Sequence, residues 1–171
     1  EYLALFGPGS MGVTTTPEEV DYGKKRGLSI ILGNVERINM LGISKEFDAI
    51  WANNLFEHLL SPHAFLIKLK TVVRPDAILV LGVPVIPKIV SLIRLVFFRG
   101  TLASNHINFF TRESLTLTVE RAGWKIIEAR PFVTSIVWLD TFLGFISPHI
   151  YVVAANNVSF RYPEKKYKEW H

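Results

Sequence analysis

Phe47-Asp48-Ala49-Ile50-Trp51-Ala52-Asn53-Asn54-Leu55-Phe56-Glu57-His58-Leu59 divides at its two asparagines. Before them, Phe47 to Ala52 is a short run rich in apolar and aromatic residues and reads as a strand. After them, Asn54 to Val73 reads as helical, with Leu59, Phe65, Leu66 and Leu69 supplying the apolar positions and Pro62 starting its second part. A strand that hands over to a helix is the unit from which α/β domains are built. The rest of the chain is read by asking whether that unit repeats.

It does, on both sides. Upstream, Tyr2 to Phe6 and Met11 to Val13 are short apolar pieces around a glycine-rich loop. Thr16, Pro17 and Glu19 then predict a helix start, with Thr16 as cap, Pro17 at the first helical position and Glu19 closing a capping box. The helix runs to Arg26, with Lys24 and Lys25 favourably near its end, and stops at Gly27. Leu28 to Leu32 is a buried-type strand ending at Gly33-Asn34. Downstream, Arg74-Pro75-Asp76 reads as a turn and Ala77 to Val83 as a strand. The apolar stretch Ala77 to Phe98 is interrupted by Pro84, Pro87, Lys88 and Arg94, so a strand followed by a helix over Lys88 to Phe98 explains it better than a bilayer span. Thr111, Ser114 and Leu115 open a helix that closes at Ala122-Gly123. Trp124 to Phe132 is a strand, Val133 to Ile146 an apolar helical insertion, and Ile150 to Ala155 a last strand before a polar tail from Ser159. The alternation predicts a mostly parallel sheet covered by helices on both faces, with an antiparallel pair of strands at the C-terminal edge.

Composition narrows the class. The 171 residues bound the chain to about one domain, and 49% hydrophobic against 20% charged residues exclude disorder and low complexity. Cysteine is absent, which removes disulfides, thiolate metal sites and a thiol nucleophile, and fits a reducing, cytoplasmic setting. Nineteen basic residues stand against fifteen acidic ones with the signs interspersed, too mild a bias to indicate a specific nucleic acid partner.

In sheets of this kind ligands bind beyond the carboxyl ends of the strands. The residues there are Asn34-Val35-Glu36, Asn53-Asn54 with Glu57-His58, Val83-Pro84 and Asn105-His106. In that order the chain resembles class I S-adenosylmethionine-dependent methyltransferases of the small-molecule type. Phe47 to Leu59 is similar to that family's "FD-x-I … LEHL" segment. Ser61-Pro62, the helix to Val73, Pro75, the strand Ile78 to Leu81 and Pro84 continue the likeness. His106 to Leu115, leading to Ala122-Gly123-Trp124, resembles its "H-x-x-x-(F/Y)-T-x-x-x-L … AGF" region. Gly12-Val13 with the helix after it, and Ile30 to Glu36, look like its second and third strands.

The resemblance implies a Rossmann-like methyltransferase fold and transfer of a methyl group from S-adenosylmethionine to a small molecule. It also implies cofactor contacts at Gly12, Thr14, Asn34, Val35, Asn53 and Asn54, with Asn53 toward the methionine portion. His106 is the candidate catalytic residue, as a substrate contact or general base, since an imidazole titrates near neutral pH. Capping the loop before Thr111 is the structural alternative. The apolar segments 85–103 and 133–148 lie where the family inserts substrate-covering elements. They suggest a hydrophobic substrate, a homodimer surface or peripheral membrane contact, with core packing as the plain alternative.

The departures are specific. Thr14 and Asn34 stand where the family has acidic residues, Pro75-Asp76-Ala77 replaces Pro-Gly-Gly, and the family's first strand with its glycine-rich loop has no clear counterpart. These support a second reading, a non-catalytic binding or interaction module of the same fold. Because the chain opens at Glu1 without an initiator Met, the expected organisation is a single, N-terminally incomplete domain over residues 1–158 and a polar tail over residues 159–171.

Three smaller patterns remain. Gly7-Pro8-Gly9-Ser10-Met11-Gly12 spells G-x-G-x-x-G, but the predicted cap Thr16 lies four residues past the third glycine, so an ordinary connection is favoured. Pro8-Gly9-Ser10-Met11-Gly12 nearly matches a nucleophile elbow, with Asp140 and His149 following in chain order, the remote serine hydrolase reading. Glu57, His58 and His63 lack His-Glu-x-x-His spacing, so a helix-surface or helix-start pair is preferred to a metal site. The Lys165-Lys166-Tyr167-Lys168 run reads as a solvated end.

Overall fold

A computed structural model describes residues 2–43, 46–93, 105–134 and 136–161. Its centre is the parallel pairing of β3 (Phe47–Asn53) with β4 (Val73–Pro84). Along β4, Ala77, Leu79, Leu81 and Val83 are wholly buried on one face, while Ile78, Val80 and Pro84 on the other are only partly covered. This period of two is what a strand requires when one face meets the core. β6 (His149–Asn156) repeats it with Ile150, Val152 and Ala154.

Two helices cover that buried face. α3 (Pro62–Leu69) presents Phe65, Leu66 and Leu69, and α5 (Arg112–Arg121) presents Leu115 and Val119. α5 starts as its sequence predicts: the Thr111 hydroxyl accepts from the Ser114 N–H, and the Ser114 hydroxyl accepts from the Thr111 N–H. Gly123, at φ +83°, takes the left-handed conformation that ends the helix and delivers the chain into β5 (Trp124–Arg130). The buried indole of Trp124 donates to the Leu66 carbonyl at 3.1 Å, which ties β5 to α3.

The sheet comes in two hydrogen-bonded pieces. β1 (Met11–Thr14) and β2 (Ser29–Leu32) form a parallel pair, and four strands run in the order β3-β4-β6-β5. The expected antiparallel pair at the C-terminal edge is β6 with β5. β6 is antiparallel to both β4 and β5, with β5 as the edge strand on that side and β3 as the opposite edge. The 3-10 turn Val35–Met40 joins the pieces through Glu36: its carboxylate accepts from the Ser61 N–H at 2.8 Å, and its carbonyl accepts from Lys68 Nζ at 2.7 Å. Phe6, after α1 (Tyr2–Leu5), packs against Trp51 of β3 with ring centroids 6.1 Å apart.

Several boundaries move for physical reasons. The predicted helix from Asn54 to Val73 is broken, because Asn54 takes φ +50°, a 3-10 turn covers Phe56–His58, and Pro62 begins α3 afresh. Arg74-Pro75-Asp76 is not a free turn but a bulge inside β4, since Phe47 pairs with Val73 while Ala49 pairs with Ile78. β5 stops at Arg130, before Phe132, whose φ is +54°. The insertion helix expected over Val133 to Ile146 is shorter, α6 (Val137–Leu143). α2 (Pro17–Lys25) starts at Pro17, but the Thr16 side chain makes no cap; Thr14 Oγ1 accepts from the Thr16 N–H instead. The helix from Lys88 is described as α4 (Lys88–Ile93); its expected continuation to Phe98 and the Lys165–Lys168 run lie outside the described residues.

Filling a core of this density leaves little tolerance for lost volume. Leu81→Ala should cost about 2–5 kcal/mol of stability by urea unfolding. Ile127→Ala, on the exposed side of β5, should stay within about 0.5 kcal/mol.

Candidate functional site

At the carboxyl end of β3, Asn53 lies beside Gly82 of β4. A Cβ on Gly82 would stand 2.0 Å from Asn53 Oδ1 and 2.6 Å from the Tyr151 ring, so only glycine leaves room for this carboxamide. The chain then turns sharply. The Asn54 N–H donates to the Gly82 carbonyl at 2.9 Å, and the positive φ of Asn54 redirects the backbone into the Phe56–His58 turn. The Asn54 side chain meets His149 Nε2 at 3.1 Å, across from the first residue of β6.

That turn buries Glu57. Its side chain is 1% exposed, and Oε2 has no hydrogen-bond partner. His58 Nε2 lies 3.8 Å from Glu57 Oε1, and His106 Nε2 lies 3.9 Å from the same oxygen. The two imidazoles meet edge to face with centroids 4.9 Å apart. The segment carrying His106 is pinned here: the Glu57 carbonyl accepts from the N–H groups of Ile107 and Asn108 at 3.1 and 3.0 Å, and Asn108 Nδ2 donates to the Leu59 carbonyl at 2.6 Å. Phe110 stacks on Phe56 at 5.2 Å, and its carbonyl accepts from the Ile86 N–H just past β4. His106 is thus held against Glu57 by backbone hydrogen bonds as well as by packing.

The other predicted positions gather at the β1-β2 end. Gly12 lies within β1 opposite Ile30, and a Cβ there would touch Leu3 at 3.2 Å, so its smallness serves packing. Thr14 ends β1, and its hydroxyl donates to the Glu19 carboxylate. Asn34 caps the Val35–Met40 turn by accepting from the Glu36 N–H at 2.8 Å, and Val35 packs partly against the core. Sequence reasoning missed Glu19 as a site residue. It read this residue as the far half of a capping box, whereas α2 carries its carboxylate back to the carboxyl end of β1.

The competing patterns do not assemble. The Gly7 to Gly12 run leads from α1 into β1 rather than from a strand into a helix, and the glycines at φ +80° and +93° form the turn between them. Ser10 Oγ donates to the Gly7 carbonyl at 2.7 Å, Asp140 is buried against Arg130 and Thr134, and His149 faces Asn54, so these three residues form no triad. Burial pushes the Asp140 carboxyl up, but hydrogen bonds from Thr134 and the Arg130 guanidinium outweigh it and hold the group ionised. His63 turns to the Arg121 carbonyl at 3.3 Å, leaving Glu57 and His58 to His106. Glu57 is not a helix-surface residue, because the 105–110 segment covers it.

The family described as "Methyltransferase domain" matches residues 13–129. No curated protein matches the chain in sequence. Among solved structures, an S-adenosylmethionine-dependent methyltransferase from Archaeoglobus fulgidus is similar with a TM-score of 0.62 and 13% identity, over 86% of this chain and 76% of that one. A putative methyltransferase from Haloferax volcanii, solved in complex with the Trm112 methyltransferase activator, gives 0.61 and 11%, over 89% and 73%. The 1,6-didemethyltoxoflavin-N1-methyltransferase of Burkholderia thailandensis, solved with its acceptor and S-adenosylhomocysteine, gives 0.58 and 12%, over 91% and 64%.

Burial lowers the His149 pKa below its usual 6.5, so the folded chain prefers the neutral ring. The unfolded chain takes up this proton near pH 6.5 and the folded one only at lower pH. Stability should therefore be full above about pH 6.5 and fall as the pH drops from there toward the folded value. Thermal melts of wild type and His149→Gln between pH 7.5 and about 5 test this. The variant should lose the part of the acid-side decline that this ring causes, and parallel curves would count against it.

Proposed function

This chain belongs to the methyltransferase domain family, and on that premise we propose that it is an S-adenosylmethionine-dependent methyltransferase acting on a small, apolar molecule in the cytoplasm. The observation that carries the reading is the convergence of Asn53, Asn54, Glu57, His58 and His106 where the carboxyl ends of β3 and β4 meet the 105–110 segment. Brought together from two separate stretches of chain, they mark the end of an α/β sheet at which ligands bind.

The polar groups present fit the cofactor in its nucleoside half. Glu19, beside Thr14, offers a carboxylate to a vicinal diol, and Val35 with Asn34 offers an apolar wall and an amide at the end of β2. Asn53 and Asn54 would hold the methionine portion. When bound, the cofactor supplies an electrophilic methyl group. The protein's own part is to bind, align and exclude water, since alignment of reacting groups supplies much of the rate and little acid-base chemistry is required. His106 meets the acceptor from a fixed position, because its segment is hydrogen-bonded to the Glu57 carbonyl.

An apolar acceptor is supported by the exposed side chains around α6. Val133, Val137, Trp138 and Phe142 stand in solvent, and the Ile89 N–H donates to the Phe145 carbonyl, which joins α6's end to α4. No helix among the described residues is long and apolar enough to cross a membrane. Sedimentation velocity and vesicle flotation check the other two uses of this surface, self-association and peripheral lipid contact.

Calorimetric titration with S-adenosylmethionine and S-adenosylhomocysteine is the direct test. We expect saturable heat and a rise in Tm with ligand concentration. Asn53→Ala and Glu19→Ala should each weaken binding about tenfold, equivalent to ~1.4 kcal/mol. His106→Ala should bind the cofactor normally and lose about 100-fold in kcat/KM toward an accepted apolar substrate. No heat and no thermal shift at ~1 mM cofactor would sink the enzyme reading in favour of the binding module.

A further inference from the structure

We propose that Glu57, His58 and His106 bind a divalent first-row transition metal ion, zinc in the first instance. Each residue offers one ligand atom, and these atoms all lie within 4.8 Å of one another. Two imidazoles and a carboxylate are a set that zinc and its neighbours accept, with positions left open for water or a ligand. Hard cations such as magnesium prefer oxygen donors, so the two nitrogens select against them.

The distances support this. At zinc bond lengths of about 2.0–2.1 Å, tetrahedral donors stand roughly 3.3 Å apart. The two imidazole nitrogens are 3.8 and 3.9 Å from Glu57 Oε1, so each must close by only about half an ångström. The same distances are too long for hydrogen bonds, so the imidazoles do not satisfy the carboxylate directly.

Glu57 is the second, independent observation. Its side chain is almost wholly buried, yet Oε2 has no partner. A buried carboxylate without compensation is costly, and a cation is the compensation that the surrounding donors can hold. Exposure is graded across the set: Glu57 lies inside, His106 is 11% exposed and His58 is 46% exposed. An ion would thus enter from the His58 side, with its open positions toward solvent. Chain spacing gave no hint, because His106 arrives from a different loop. The pins that deliver it are the Ile107 and Asn108 N–H donors to the Glu57 carbonyl. Such outer contacts tune metal affinity by orienting the ligands.

Metal binding does not rest on the methyl-transfer reading, and it is measured with neither cofactor nor acceptor. If both hold, the acceptor contact of His106 passes through the ion. The test titrates Co2+ into the purified full chain while following its visible absorption, then displaces it with Zn2+, with Mg2+ as a control. We expect one equivalent per chain, displacement by zinc and no response to magnesium. Glu57→Gln, His58→Ala and His106→Ala should each weaken uptake at least tenfold, while His63→Ala leaves it unchanged. His58 is the most exposed of the three, so His58→Ala tests the site even if a Glu57 variant misfolds. Absence of saturable uptake by the wild type would overturn the proposal. So would uptake that His58→Ala and His106→Ala leave intact, since that would place the ion elsewhere. Cofactor heat without metal uptake would retain the methyltransferase reading alone, and the converse would retain the metal alone.

Discussion

Gly82 faces Asn53 in the parallel register of β3 and β4, and the space that a side chain would fill there holds the Asn53 carboxamide. The Gly82 carbonyl also receives the Asn54 N–H, so one residue without a side chain sets both the position of Asn53 and the turn after it. That turn takes a left-handed asparagine, a conformation asparagine tolerates better than most residues. From there the chain buries Glu57 and exposes its backbone carbonyl to the segment carrying His106. The order of dependence runs from strand register to turn, from turn to buried carboxylate, and from carboxylate to the two imidazoles.

The β1-β2 pair stands in a looser relation to this centre. Glu36 ties it to the start and last turn of α3, while its own carboxyl end carries Thr14, Glu19 and Asn34. On the proposed reading, the two halves of a nucleoside-thioether ligand would find different supports. The nucleoside half would meet a short parallel pair and a 3-10 turn, and the reacting half the densely packed four-stranded sheet. Such a division suits a transfer reaction, which needs its reacting centre held more rigidly than the remote parts that supply binding.

Much of the fold was legible because local signals and tertiary packing agree. Phe47 to Ala52 is a strand, Thr111 opens a helix as expected with Ser114 as its reciprocal partner, and Gly27 and Gly123 end their helices at positive φ. Where the reading failed, a distant partner decided the outcome. Arg74-Pro75-Asp76 has turn chemistry, yet pairing of Val73 with Phe47 keeps the strand going around it. Thr16 has the right chemistry for a cap, but its side chain caps no N–H of α2, and its own N–H, which Glu19 would take in a capping box, donates to the Thr14 hydroxyl. Asn53, Asn54 and His106 were legible as candidates through the resemblance. Glu57's burial was not, since it depends on a segment about fifty positions away folding over it. Glu19 was visible as a helix residue, while its return to Thr14 depends on how α2 is set against β1.

The central claim is that chemistry occurs at the carboxyl end of β3. A crystal structure of the chain with S-adenosylhomocysteine tests it most directly. The account predicts density with the sulfur beside Asn53 and Asn54, the ribose toward Glu19 and the open side of the ligand facing His106. Ligand bound at the opposite end of the strands, beside the Gly7 to Gly12 turn, would contradict it.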